Sequence, residues 1–303
     1  MSFFRFAECK FHKMVLLPLC AEGLTPEMDI ILKKELGETP LVRKNSLERI
    51  KQLIAEEPDF YPFMDDQFIL LFLRNKKHNV ERAFKTLRNY YFFKKKYSRV
   101  FTDFLPSEHE KVINMNCYSP MPFRDSNGRF IVVCQPGRYK WQENSVDAFM
   151  AFAVDLGILL NKPEAFSICG AVLIFDLKDF SMENLFKFVS MKFLIFAFSC
   201  LQDCLPYSIK GIHIVNEPSF FQTSYGAIKL ALPDKIRKRV FLHGSNLQGL
   251  HKYVTPEVLP EELGGNLGPV DNTEFLKFAL KQESLFKDMI KCGFKKTTST
   301  KSG

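Results

Sequence analysis

The sequence carries a single tryptophan, no Cys-x-x-Cys pair and no apolar run long enough to cross a bilayer. Each absence excludes something. The longest uncharged apolar stretch in the middle of the chain, Phe193 to Gln202, is about half of the ~20 residues that a crossing needs. The run from Met14 to Ala21 follows basic residues, but it holds Pro18 and no small-residue cleavage site follows, so it is not read as a secretory signal. The eight cysteines (9, 20, 117, 134, 169, 200, 204 and 292) follow no disulfide framework. Cys200 and Cys204 lie on an apolar helix with no histidine nearby. These two read as small core thiols, and the chain as a soluble protein in a reducing, cytosolic compartment.

Catalytic signatures are missing as well. No Gly-x-Gly-x-x-Gly follows a strand, and no phosphate-binding Gly-x-x-x-x-Gly-Lys-Ser/Thr occurs. Gly264-Gly265-Asn-Leu-Gly268 follows Pro260-Glu-Glu-Leu263 rather than a strand and precedes Pro269. There is no Gly-x-Ser-x-Gly elbow, and no cysteine has an arginine six positions on, as a cysteine phosphatase loop requires. The six histidines (12, 78, 109, 213, 243 and 251) show no metal-ligand spacing. His213 and His243 read as hydrogen-bonded structural residues. No metal, no cofactor and no enzymatic activity are expected.

What is present is phenylalanine and positive charge. The 32 Phe supply apolar area with no polar handle, which suits a dry interior or an apolar cavity. A net charge of +8 points to an anionic partner, either nucleic acid or phospholipid, and no nucleic-acid-binding signature accompanies it.

The chain divides by its periodicity. Residues 1–28 read as a variable leader, with Met14 an alternative start. Residues 29–100 read as a small all-helical domain, with helices expected over Pro26–Leu36, Lys44–Glu56, Gln67–Asn75 and Val80–Tyr97. Strands and helices alternate over 110–270: strands at Phe130–Cys134, Gly170–Asp176, Gly211–Val215 and 240–242, and helices at Ser145–Leu160, Ser181–Gln202 and Pro218–Leu232. That order implies an α/β layer with a mixed, mostly parallel sheet. Residues 271–303 read as one amphipathic helix, Thr273–Lys291, followed by a disordered tail after Phe294.

One stretch, Gly211 to Gly244, joins two of these strands through an amphipathic helix. Phe221, Tyr225, Ile228 and Leu232 form one apolar face, and Lys235, Arg237, Lys238 and Arg239 crowd its far end. Pro218 fits the first helical position, with Asn216 or Glu217 as N-cap. An ordinary core-facing helix with a solvated basic end would look the same.

Ordered motifs go further. Asp65-Asp-Gln-Phe-Ile-Leu-Leu-Phe-Leu-Arg74, Val80-Glu-Arg-Ala-Phe84 and Tyr90-Tyr91 are followed by Ile174-Phe-Asp-Leu177 and Leu201-Gln-Asp-Cys-Leu-Pro206. Then come Gly211-Ile-His-Ile-Val-Asn-Glu-Pro218, His243-Gly244 and Leu259-Pro-Glu-Glu-Leu-Gly-Gly265. In this order they resemble the CRAL-TRIO family, in its tocopherol-transfer and retinaldehyde-binding branch, over about residues 30–270. The resemblance implies a helical N-terminal domain, a lipid-binding domain and a movable lid helix over an apolar pocket. It places Met150, Ala153, Gly157, Ala171, Phe175, Phe180, Ala197, Cys200, Leu201, Leu205, Ile209, Ile212 and Ile214 on the pocket wall. Phe220, Phe221, Tyr225, Ile228 and Leu232 fall on the lid. Lys76, Lys210, Lys235, Arg237 and Arg239 fall on a phosphoinositide-binding patch.

The chain departs from the family pattern at Leu71 and Ser208, where basic residues are usual, and at Ala153 and Gly157, which replace small polar positions. The implied function is binding of a small hydrophobic ligand and its transfer between membranes by a monomer that docks reversibly on anionic lipid. The alternative is a lipid-sensing regulatory module that recruits a protein partner without transfer. Tocopherol, retinoid, carotenoid, sterol-like and phospholipid cargoes all stay open.

Overall fold

The computed structural model describes residues 25–161, 163–188, 195–196 and 204–295. The expected leader up to residue 24, most of the 181–202 helix and the tail beyond residue 295 lie outside the described residues. So do Ala197, Cys200, Leu201 and the side chain of Ile228.

Local caps set the N-terminal helices. Thr25 opens α1 (Pro26–Ile31), which runs on as a wider π turn, Leu32–Leu36, and stops at Gly37 in the left-handed region. Thr39 caps α2 (Pro40–Ala55) with Pro40 at its first position, so this helix begins earlier than its apolar periodicity predicts. After β1 (Phe60–Tyr61), Asp65 caps α3 (Asp66–Asn75) and Asn79 caps α4 (Val80–Lys96). Every residue from Phe68 to Arg74 is buried.

The α/β layer follows as α5 (Glu110–Asn114), β2 (Tyr118–Pro120), β3 (Phe130–Cys134), α6 (Val146–Leu160), α7 (Glu164–Cys169), β4 (Ala171–Asp176) and α8 (Met182–Phe188). It continues with β5 (Ile209–Val215), α9 (Ser219–Ala231), α10 (Asp234–Arg237), β6 (Val240–Leu242) and α11 (Leu247–His251). The five strands lie in the order β2-β3-β4-β5-β6. β2 is antiparallel to β3, and the other pairings are parallel. A mixed, mostly parallel sheet flanked by helices is thus present. Gly170, with φ 76°, is needed where the chain enters β4, because a Cβ there would lie 2.2 Å from the Ser208 carbonyl.

α3 is apolar all round because it is wedged between α2 and α4 on one side and α7 on the other. One hydrophobic core therefore runs from Ile69 and Leu87 in the helical unit to Phe130 and Phe152 in the α/β layer. Leu71, at a position where the resemblance expects arginine, is part of this core.

The C-terminal segment is two helices, α12 (Thr273–Leu280) and α13 (Glu283–Lys291), rather than the single one expected. A two-residue strand, β7 (Gly293–Phe294), then pairs with β1. The Phe294 ring stacks on both Phe60 and Phe92. Lys94, buried, donates to the carbonyls of Met289, Ile290 and Cys292 at the end of α13, where a cation complements the helix dipole. Asn272 donates to the carbonyls of Ile113 and Tyr118, tying the start of α12 to β2.

Candidate functional site

Alternation along the strands gives the sheet two faces. On one, Ile131, Val133, Val172, Ile174 and Val215 pack against Leu250, Val254, Val258, Leu259 and Leu263 and are almost wholly buried. The other face carries Phe130 and Val132 of β3, Ala171, Leu173 and Phe175 of β4, and Ile209, Ile212 and Ile214 of β5. The β3 members of this face are buried, but Leu173 and Phe175 on the central strand β4, and Ile209 and Ile212 on its neighbour β5, are only half-buried. Apolar side chains in the middle of a sheet that keep accessible surface mark incomplete coverage on that side.

The elements around this face carry the expected pocket residues. Met150 and Ala153 of α6 are half-buried and Phe180 is buried. Leu205, Phe220 and Phe221 are half-buried, and Tyr225 is buried with its ring parallel to that of Phe221. Leu232 ends α9 as its half-buried C-cap. Gly157 is buried beneath Tyr207, which sequence reasoning did not single out.

α9 is rooted in a polar knot at the C-terminal ends of four strands, β3 to β6. Asn216 adopts φ 52°, and its amide donates to Asp176 Oδ1 (2.8 Å), while Gln135 donates to Asp176 Oδ2 (3.0 Å). The Asn216 N–H donates to the Gly244 carbonyl at 2.7 Å, and the Gly244 N–H donates back to both carboxylate oxygens of Glu217, at 2.8 and 2.9 Å. Neither Asn216 nor Glu217 caps α9; Pro218 is the N-cap, with no side-chain bond. The polar side chains are spent on holding the ends of β3, β4, β5 and β6 together. Those links account for Asn-Glu-Pro and His-Gly occurring as a pair of motifs.

On the outer face beside this knot, His213 Nδ1 meets His243 Nε2 at 3.0 Å, with the two rings parallel and Phe241 and Tyr253 packed against His213. Burial, then His243 and Arg129, push His213 down to about 4, while burial lowers His243 against an opposing pull from Glu217. The unfolded histidine titrates near 6.5, so between these values the unfolded chain binds more protons. Stability is therefore complete above pH 6.5 and is lost progressively as pH falls toward 4. The loss is at most about 3 kcal/mol, at ~1.36 kcal/mol per unit. Denaturant melts across this range should show a flatter pH dependence for His213→Asn than for the unaltered chain; equal slopes would refute the assignment.

The basic positions separate once placed. Lys210 sits 3.5 Å from Glu35, and the Arg239 guanidinium donates to the neighbouring Ile209 carbonyl. Arg237 pairs with Asp234, Lys235 and Lys238 are exposed, and Lys76 is the C-cap of α3 in the helical unit. The structure thus brings Lys210 and Arg239 together at the start of β5.

One arrangement resembles catalytic chemistry, and its members are also bonded to structural partners. Ser46 Oγ lies 2.8 Å from His78 Nδ1, and His78 Nε2 lies 2.9 Å from Glu38 Oε2, the order of a nucleophile, base and acid. All three are buried, Ser46 Oγ donates to the Arg43 carbonyl, and Glu38 also binds Arg74. Burial alone would raise the Glu38 carboxyl, but hydrogen bonds from Arg74 and His78 outweigh it and hold the group at about 2. The cysteines of the sheet region are inert. Burial pushes Cys117 up to about 12 and Cys169 to about 11, so both stay thiols at neutral pH. Among the described residues no group of three or more His, Cys, Asp or Glu is placed to hold a metal ion. No described helix is long and apolar enough to cross a membrane.

Residues 114–265, which contain all five strands of the sheet and the knot beneath α9, match the CRAL/TRIO domain. Clavesin-1 of Pongo abelii is 34% identical over 253 residues, covering 82% of this chain and 71% of that protein. The chain belongs to the CRAL/TRIO family. Another family relative, the human alpha-tocopherol transfer protein-like protein, is 30% identical over 269 residues, covering 87% of this chain and 77% of its own length. The crystal structure of Sfh5 aligns over 89% of this chain and 99% of its own with a TM-score of 0.51. At 15% identity it speaks to the fold alone. The matched CRAL/TRIO region ends at Gly265, before α12, and begins within α5, so the α3 wedge and the β1–β7 pairing lie outside it.

Proposed function

We propose that the protein binds one small hydrophobic molecule between the half-covered sheet face and α9, and carries it between membranes. The observation that carries this reading is the contrast between the two faces: Ile174 is 0% exposed, whereas its neighbours Leu173 and Phe175, pointing the other way, are half-buried. Membership in the CRAL/TRIO family and the name of one relative, alpha-tocopherol transfer protein-like, support it. At ~25 cal/mol per Å², covering a few hundred Å² of ligand is worth several kcal/mol. Release requires offsetting that gain. α9 can offset it by swinging on the Asn216–Pro218 turn to face a bilayer, which offers both ligand and helix a second apolar phase. Leu230 of α9, 81% exposed, suits that role, as does Phe186 of α8, 66% exposed.

Docking is assigned to the cations beyond the C-terminal end of α9, at the start of β5 and at the end of α3. Lys76, Lys210, Lys235, Arg237 and Arg239 are proposed to meet phosphoinositide headgroups, with Lys238 added to the set because it is exposed. Each cation close to an anionic leaflet contributes ~1 kcal/mol, less with salt. Arg239 also holds the Ile209 carbonyl, so the clean test leaves it in place. Changing Lys235, Arg237 and Lys238 together to Ala should slow transfer to phosphoinositide-containing vesicles about tenfold to a hundredfold, with ligand occupancy unchanged. Native mass spectrometry of the purified chain with lipid extraction reads the occupancy. Equal transfer rates would remove the docking role. Ligand uptake without any accelerated transfer by the unaltered chain would favour the sensing module instead.

A further inference from the structure

We infer that Tyr207 is the specificity-determining floor of the ligand space, setting how long a ligand the protein accepts. α6 turns Met150, Ala153 and Gly157 to one side, at the spacing of a single helix face. Met150 and Ala153 are half-buried, but Gly157 is covered, because the ring of Tyr207 lies directly on it. A Cβ at position 157 would stand 2.3 Å from Tyr207 Cε2 and 2.4 Å from its Cζ. The hydroxyl donates to the Val154 carbonyl at 3.1 Å, and the ring meets Phe166 edge-on at 6.0 Å. These contacts hold the ring flat along α6.

Tyr207 follows Pro206 and lies just before β5, and it belongs with Leu173, Phe175 and Ile212 among the half-buried side chains packed on the same core. A smaller residue at 207 would leave an apolar channel running along α6 over Gly157. With tyrosine there, the channel is closed at one end. The chain would then favour ligands whose apolar body ends at the ring plane over ligands with a long unbranched tail. This rests on the carrier reading given above.

The test uses the full chain and a series of straight-chain fatty alcohols of increasing length, each displacing one fluorescent apolar dye. Affinity should rise about fourfold per added methylene and then stop rising at a cut-off length. Tyr207→Ala should move the cut-off to longer alcohols. Gly157→Ala, which forces the ring away from α6, should move it to shorter ones. Tyr207→Phe, which keeps the ring and loses the bond to Val154, should leave it in place. If the alanine variant does not fold, Tyr207→Leu reads the same shift. Folded variants at both positions with an unmoved cut-off would overturn the assignment while leaving the carrier reading intact. Failure of the unaltered chain to take up the dye or any alcohol would overturn both.

Discussion

Arg74→Met is expected to destabilise the folded chain by about 3–5 kcal/mol, because it strands the buried carboxylate of Glu38, which among the described residues only His78 then faces. The Arg74 side chain is 1% exposed. Its Nε and Nη2 donate to the two oxygens of Glu38, each at 2.7 Å, Nη2 also to Glu164 at 2.6 Å, and Nη1 to Ser167 Oγ at 2.8 Å. This clasp joins α3 of the helical unit to α7 of the α/β layer, so its loss loosens the contact between them. Arg74→Lys cannot replace it, since an ammonium has no fork to offer two carboxylates.

The pH behaviour gives an independent check on the same clasp. Glu38 is held at about 2, below its ordinary 4.5, so its contribution is complete above pH 4.5 and is lost as pH falls through 2. In Arg74→Met that dependence should weaken, because among the described residues His78 alone is left to oppose burial, and in the double variant Arg74→Met/Glu38→Met stability should partly return. Denaturant melts at neutral and acidic pH measure both. A single variant within about 1 kcal/mol of the unaltered chain would show that the clasp is not needed.

The second large effect belongs to the root of α9. Glu217→Ala removes the acceptor for the Gly244 N–H and frees one end of the turn that carries the helix. A lost charge-assisted bond to a buried group costs about 1–3 kcal/mol, and here the loss falls on local opening rather than on the whole fold. Hydrogen exchange over Ser219–Ala231 should speed up about tenfold to a hundredfold, while exchange over Asp66–Asn75 stays as it is. Glu217→Gln, which keeps one accepting oxygen, should fall between. Unchanged exchange over α9 would mean that the helix is held by its apolar face and not by this knot.

Much of the architecture could be read from local pattern. Asp65 and Ser145 cap the helices that follow them, and the apolar runs at Phe130–Cys134 and Ala171–Asp176 are strands, because capping and a short continuous apolar run are properties of a few consecutive residues. Where pattern fell short, a distant partner was acting. β2 ends in Pro120 and is an edge strand, the place where a missing N–H is tolerated, so proline concealed it. β1 and β7 are two residues each and exist only because each supplies the other's partner across the length of the chain. Pro218 moved from first helical residue to N-cap because Glu217 was drawn to Gly244.

The candidate site divides in the same way. From the order of its motifs alone, the chain was assigned to its family, with alternating strands and helices, an amphipathic segment and a cluster of cations beside it. Contacts in space decided which of those cations are engaged, that Gly157 makes room for Tyr207, and that Arg74 reaches Glu164 across 90 residues. The reason is physical. Periodicity and capping act within one turn or one strand, whereas a salt link, a ring seated on a glycine or a half-covered sheet face depends on residues that only folding brings side by side.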